Sequence, residues 1–195
     1  MKHLRSYRAI VAIAMMLIGW LPSLAYSFQV DGIFYDKLGI SEVAVTSSNS
    51  SSNKYSGNVV IPSSVKYNGV TYSVISIGDL AFNSCSSLTS IQIPNSVTSI
   101  GNFAFSICSR LTDVVIGNSV TSIGNNAFHN CESLTNVIWN VIKCSDFYSN
   151  DIPFENCPNI TSFTFGDKVE YIPACLCYGM NKLTSIEIPN SVTSI

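Results

Sequence analysis

Charge is scarce in this chain, and cations are the scarcer sign. Only 11% of the 195 residues are Asp, Glu, Lys or Arg, with ten cations against twelve acids. There is no run of Lys or Arg and no basic stripe. The electrostatic footprint that phosphate backbones require is missing, which argues against nucleic acid as a partner. Histidine is rarer still, with only His3 and His129. No Cys-x-x-Cys is present, so the ligand spacing of a zinc site is lacking, and no cofactor is expected. There is no glycine-rich phosphate loop, and no acid stands in the motif around His129 to orient it. Catalysis of the Ser-His-Asp or Cys-His kind therefore has no visible machinery, and the chain does not read as an enzyme. Nor is there an apolar run of the roughly 20 residues that span a bilayer.

The longest apolar run, Ala9 to Trp20, sits in a recognisable order. Lys2, Arg5 and Arg8 precede it, and Pro22 and the small-residue pattern Ala25-Tyr26-Ser27 follow. This is the arrangement of a secretory signal peptide, 1–27, cut after Ser27; the other reading is an uncleaved membrane anchor. Removal of 1–27 takes three of the ten cations and leaves a net charge near −5. The mature chain is expected to have no transmembrane segment and to be secreted or held at the cell surface.

What the sequence has in abundance is repetition, which is the first feature to test for in any chain. Ile77, Ile100 and Ile123 recur at intervals of 23 residues, as do Phe82, Phe105 and Phe128. The same interval separates Cys85, Cys108 and Cys131, and Leu88, Leu111 and Leu134. Ile91/Ile93, Val114/Ile116 and Val137/Trp139 keep the register. A longer fourth unit carries Cys157, Ile160, Phe163 and Phe165 after an insertion within 140–156. A fifth runs from Val169 and Ile172 through Met180, Leu183, Ile186, Ile188 and Pro189, and a sixth opens at Val192.

The alternation in Leu88-Thr-Ser-Ile91-Gln-Ile93 has period two and predicts a short strand with the isoleucines inward. Pro94 ends it, since proline cannot donate to a ladder. Val97 and Ile100 turn inward again, and Gly101 permits a bend. The stretch from Asn102 to Cys108 predicts a helical or 3₁₀ turn with Asn102 as its cap. One such coil buries too little to offset the entropy of ordering it, so the coils must stack. The expected fold is a solenoid with parallel strands on one side and short helical or 3₁₀ turns on the other. It spans 74–195, and its last repeat is incomplete.

Residues 28–73 read as an N-terminal cap with a partial repeat. Phe28 to Tyr35 contains a strand, the turn Asp31-Gly32 and a second strand, a hairpin pattern. Glu42 to Thr46 alternates as a third strand, and Ser47 to Ser52 is a serine-rich loop. Val59-Val60-Ile61-Pro62 matches the strand end of a repeat, and Asn68-Gly69 is a second hairpin turn. At the other end, Ile195 occupies an inward position one residue before the expected glycine. That reads as a fragment of a longer product, or as an open last coil that packs on something else by self-association.

The unit S-I-G-x-x-A-F-x-x-C-x-x-L-T-x-I-x-I-P-N-S-V resembles the BspA-type leucine-rich repeat of secreted and surface proteins in anaerobic bacteria and some protists. The likeness covers roughly Val59 to Ile195, with Phe28 to Tyr35 resembling the usual lead-in. It implies a leucine-rich-repeat solenoid associated with adhesion to host proteins or other cells, and no catalytic activity. One departure concerns the asparagine ladder of leucine-rich repeats, whose position here holds Ser96 and Ser119. Another is that the C-terminal anchoring segment frequent in such surface proteins is not in this sequence.

The strand face is the first candidate site. Its outward pairs are Ser90/Gln92, Asp113/Val115, Asn136/Ile138, Ser162/Thr164 and Ser185/Glu187, with Val115 and Ile138 apolar where solvent is expected; β-branched residues also suit strands without binding anything. The insertion is the second, because Asp146, Phe147 and Tyr148 combine aromatics with an acid where the repeat breaks; a solvated loop is the plainer reading. Asp146 and Asp151 could offer oxygens to calcium, without the spacing of a known calcium loop. The cysteine column Cys85, Cys108 and Cys131 is expected to be buried and free, with one disulfide open to Cys144, Cys157, Cys175 and Cys177. The sequence thus supports an exported binding scaffold, adhesin-like, whose partner is a protein or cell-surface ligand such as host extracellular matrix. The alternative is a structural module with no ligand of its own.

Overall fold

The computed structural model describes residues 26–48, 55–148 and 151–195. The leader read at 1–27 therefore lies outside the described residues except for Tyr26 and Ser27, as does most of the serine-rich loop.

Two sheets run side by side along the molecule. Five parallel strands form the first: β4 (Ser56–Val60), β7 (Ser87–Gln92), β9 (Asp113–Ile116), β11 (Asn136–Trp139) and β12 (Ser162–Phe165), stacked in that order. The second begins with an antiparallel meander of β1 (Phe28–Val30), β2 (Ile33–Lys37) and β3 (Glu42–Thr46). It continues in parallel through β6 (Val70–Ile77), β8 (Ser99–Ile100) and β10 (Ser122–Ile123), with β5 (Ser64–Tyr67) antiparallel on β6. Both tight hairpins have two left-handed residues, Asp31 and Gly32 at φ 49° and 80°, and Asn68 and Gly69 at 48° and 82°. Those are the turns whose twist matches flanking strands. Ser27 joins the first hairpin: its amide donates to the Tyr35 carbonyl at 2.8 Å and its Oγ accepts from the Lys37 amide at 3.1 Å. A cut after Ser27 would remove both bonds.

The turns on the far side are not helical, contrary to the expectation for Asn102 to Cys108; the described residues contain no helix. The amides of Phe103, Phe105 and Ile107 donate to the carbonyls of Asn125, Ala127 and His129 in the next coil, at 2.9, 2.7 and 2.8 Å. In the coil before, Leu80, Phe82 and Ser84 do the same towards Asn102, Ala104 and Ser106. A helix directs every amide back along its own segment. Here alternate amides point along the solenoid axis instead, and the chain achieves this with φ of 52° at Phe103 and 62° at Ile107.

Between the sheets the repeat columns become ladders. Phe82, Phe105, Phe128 and Phe154 stack with ring centroids 4.7, 4.8 and 5.0 Å apart. Tyr55 heads the stack, 4.1 Å from Phe82. Its hydroxyl donates to the Thr46 carbonyl at 2.6 Å and accepts from the Phe34 amide at 3.1 Å, tying the meander to the first coil. The cysteine column is a second ladder: the thiols of Cys108, Cys131 and Cys157 donate to the carbonyls of Phe82, Phe105 and Phe128 at 3.1, 3.2 and 3.1 Å. None of the seven cysteines, all of them among the described residues, is joined in a disulfide.

The asparagine ladder is present one residue earlier than its usual position. Asn95 Oδ1 accepts from the Asn118 amide at 2.9 Å, while Ser96 Oγ donates to the Val74 carbonyl at 2.7 Å. At the next corner Asn102 Oδ1 accepts from the Asn125 amide at 2.9 Å. Coils approach so closely there that a Cβ on Gly124 would lie 2.5 Å from the Asn102 nitrogen.

The fifth coil departs from the expected pattern. Ile186 and Ile188 were expected inward on a strand; they lie on no strand and are 36% and 50% exposed. Val192 to Ile195 does return to the stack, with the Thr193 amide donating to Glu170 and the Ile172 amide to Ser194.

Candidate functional site: the outer face of the five-stranded sheet

Parallel pairing in strict register turns separate repeats into one surface. Asn58, Ser90, Asp113, Asn136 and Ser162 pair side by side in one rung, and Val60, Gln92, Val115, Ile138 and Thr164 in the next. Side chains alternate across a strand, so the inward partners Val114, Ile116, Val137 and Trp139 are fully buried while these rungs face out.

The two rungs differ in chemistry. The first is polar and internally bonded: Ser90 Oγ donates to Asn58 Oδ1 at 2.5 Å, and Asn136 Nδ2 to Asp113 Oδ1 at 3.2 Å. Thr112 Oγ1 holds the other Asp113 oxygen at 2.6 Å. These bonds preorganise Asp113 as the single charge of the two rungs. In the second rung Val115 and Ile138 are adjacent and half-buried, with Val60 exposed beyond Gln92. Asn58 and Val60 were not among the residues read from the sequence. The signal was available: counting back from Pro62, Val60 occupies the slot that Gln92 holds before Pro94. A bulge beside Gly57, at φ 67°, shifts the register upstream and hides the rest of the match. Ser185 and Glu187 do not join the face, because their segment is not paired to β12.

The insertion divides its residues between roles. Asp146 Oδ1 accepts from the Tyr171 hydroxyl in a short hydrogen bond and from the Ala174 amide at 2.9 Å. Those bonds hold its carboxyl below the usual carboxylate range. Phe147 is buried, and its amide donates to the Ala174 carbonyl, so it anchors the insertion to the fifth coil and offers no ring to a partner. Tyr148 is the exposed aromatic. Among the described residues no group of three or more metal-capable side chains gathers, and Asp151 does not meet Asp146 in one. His129 approaches the side-chain amide of Asn156 at 3.2 Å. Hydrogen bonding with Cys108 and Cys157, then burial, holds the Cys131 thiol well above its ordinary range. Burial and then the Asp146 charge push Cys144 up to about 12. Neither is a reactive thiolate.

Stacked coils with a parallel strand in each, and ladders of repeated side chains between them, define a leucine-rich-repeat solenoid. The chain belongs to the BspA type leucine rich repeat family, whose model matches it in six copies over residues 52–152 and 148–195. No curated protein matches the chain. Among solved structures it is similar to a leucine rich cell surface protein of Faecalibacterium prausnitzii, at 26% identity and a TM-score of 0.54 over 86% of this chain and 50% of that one. A leucine-rich repeat protein from Bacteroides ovatus is 29% identical, with a TM-score of 0.54 over 86% of this chain and 48% of the other. One from Bacteroides capillosus is 27% identical, with a TM-score of 0.58 over 71% and 97%. The chain thus spans about half the length of the first two. Among the described residues no helix is long and apolar enough to cross a membrane.

Proposed function

We propose that this chain is an exported scaffold that binds a protein partner, on a cell surface or in a host extracellular matrix, through the outer face of its five-stranded sheet. In this reading 1–27 is the leader, 28–73 the cap, and the role is adhesive rather than catalytic. One observation carries it: five strands in register merge a polar rung, with Asp113 at its centre, and an apolar-centred rung, with Val115 and Ile138, into a single surface. Gln92, Asn136 and Thr164 complete the contact set, with Tyr148 on the neighbouring insertion. The leader-like N-terminus and the similarity to a leucine rich cell surface protein of Faecalibacterium prausnitzii support the location.

The test is binding of the purified chain to immobilised extracellular-matrix proteins and to intact bacterial cells, beside a variant carrying Val115→Asp and Ile138→Asp. A matched melting curve shows that the variant is folded. Saturable binding that the variant loses supports the strand face. Binding that it retains moves the site to the insertion around Tyr148 or to the N-terminal meander. A folded chain that binds nothing on the panel sinks the adhesive reading.

A further inference from the structure

A cleft interrupts the stacking between β12 and the extended segment at 185–190. Its volume is about 470 Å³, and Phe163, Phe165, Ile186, Glu187 and Ile188 are among the residues that line it. On the side facing the cleft neither long wall has a strand partner. In a parallel sheet, alternate residues turn their amide and carbonyl to the same neighbour. Here the amides of Asn140 and Gly166 donate back, to Ile116 and Trp139, whereas that of Ile93 donates forward to Val115. The same alternation directs the backbone groups of Phe163 and Phe165 forward into the cleft, and β12 is the last strand of its sheet. Across the cleft, 184–188 belongs to no strand.

Proteins ordinarily blunt an open edge with charge, proline or a bulge. β12 has none of these: its outward residues are Ser162 and Thr164. We propose that the cleft takes an extended polypeptide segment of another protein, added as a strand between β12 and 184–188. A strand residue in a packed sheet fills roughly 160 Å³, from strand spacing, rise and sheet separation, so the cleft holds about three. The lining specifies their chemistry. Inward side chains would lie between Phe163 or Phe165 and Ile186 or Ile188, and must be apolar. The outward one lies between Thr164 and Glu187, the sole charge among the lining residues, and a cation complements it. The segment is therefore apolar–basic–apolar. This site lies at the edge of the sheet and does not depend on the strand face being the binding surface.

The probe is a capped, fluorophore-labelled heptapeptide, Gly-Thr-Val-Lys-Val-Thr-Gly, titrated into the full chain by anisotropy, with amide hydrogen exchange followed at Phe163 and Phe165. The expected result is saturable binding that slows exchange at both amides. Glu in place of the peptide Lys should weaken binding by about fivefold, the scale of one cross-strand charge pair. Glu187→Lys, an exposed substitution, should reverse that preference, and N-methylation of the three central residues should abolish binding. The proposal is overturned if no peptide binds, or if N-methylation has no effect. It also fails if the two amides are already protected without peptide, since 184–188 then closes on β12 itself. Protection that grows with protein concentration would assign the cleft to a second copy and overturn it equally.

Discussion

Residues 88–100 and 183–195 are the same thirteen-residue sequence except that Gln92 is replaced by Glu187. In the first copy Leu88 to Gln92 lies in β7, paired on one side with β4 and on the other with β9, and Ile91 and Ile93 are buried. In the second copy the matching residues form no strand, and both isoleucines are exposed. Ile100 is sealed while Ile195 is 76% exposed, yet two contacts to the coil before are shared. Ser96 donates to Val74 and Ser191 to Val169, each at 2.7 Å, and the amides of Thr98 and Thr193 both reach back to the preceding coil. Intrinsic propensity is equal in the two copies, so it does not account for the difference. A coil is ordered by its neighbours, as expected of a solenoid in which each repeat touches only the next. Leu88 to Gln92 has a strand paired on each side, whereas 184–188 has the cleft between it and β12 and is paired with no strand.

The sharpest way to break this comparison is to truncate the same side chain in both copies. Ile91→Ala should cost about 2–5 kcal/mol, the usual range for deleting a buried aliphatic chain. Ile186→Ala should cost less than about 1 kcal/mol. Urea unfolding of the two variants measures both, and equal losses would mean that 186 is packed as firmly as 91.

Glycine substitutions extend the contrast to the backbone. At Gly124 a methyl group meets the Asn102 nitrogen at 2.5 Å, so Gly124→Ala should cost about 3 kcal/mol through overpacking. Gly179, in the fifth coil, has φ 78° and open space around it. Gly179→Ala should cost only the left-handed strain of about 1–2 kcal/mol. Thermal melts that rank the two the other way would deny the close coil approach at the packed end.

A smaller effect is expected at Trp139. Its side chain is fully buried, yet Nε1 has no hydrogen-bond partner. Trp139→Phe removes an unsatisfied donor while losing some volume, so the two effects oppose and the net change should stay within about 1.5 kcal/mol. A loss of 3 kcal/mol or more on denaturant unfolding would show that the ring is held by more than packing.

The smallest effect concerns the clasp between the insertion and the fifth coil. The Tyr171 hydroxyl and then the Ala174 amide lower the Asp146 pKa. A depressed carboxylate stabilises the fold above its unfolded pKa, and that contribution is lost as pH falls through the folded value. The Asp146 bond raises the Tyr171 pKa, so the tyrosine contribution is lost as pH rises through its own folded value. Asp146→Asn should therefore melt slightly below the parent at neutral pH and converge with it in acid. A difference that persists unchanged below the carboxylate range would assign the effect to packing instead.

The strands β7, β9, β11 and β12 were legible because each carries period-two alternation ended by a proline, a glycine or an asparagine. The two hairpins were legible from Asp31-Gly32 and Asn68-Gly69. Of the candidate site, the outward pairs from Ser90 to Thr164 followed from the same alternation. Asn58 and Val60 did not, because a bulge breaks their register. Phe147 could not be placed from sequence, since an aromatic beside an acid in an irregular segment carries no period to say which way it turns.

By itself the sequence determined the 23-residue period, and with it which columns of side chains would meet: Phe82 on Phe105 on Phe128, and Cys108 and Cys131 each set above a carbonyl of the coil before. Only the tertiary structure decided how the backbone between those columns runs. The turn at Phe103 to Ile107 is not a helix, the asparagine ladder begins at Asn95, and Ile186 lies open while Ile91 is sealed. The reason is common to all three. Their hydrogen-bond partners lie a full repeat away along the chain, so a local segment reveals which side chains prefer burial but not which neighbouring coil is there to accept its amides.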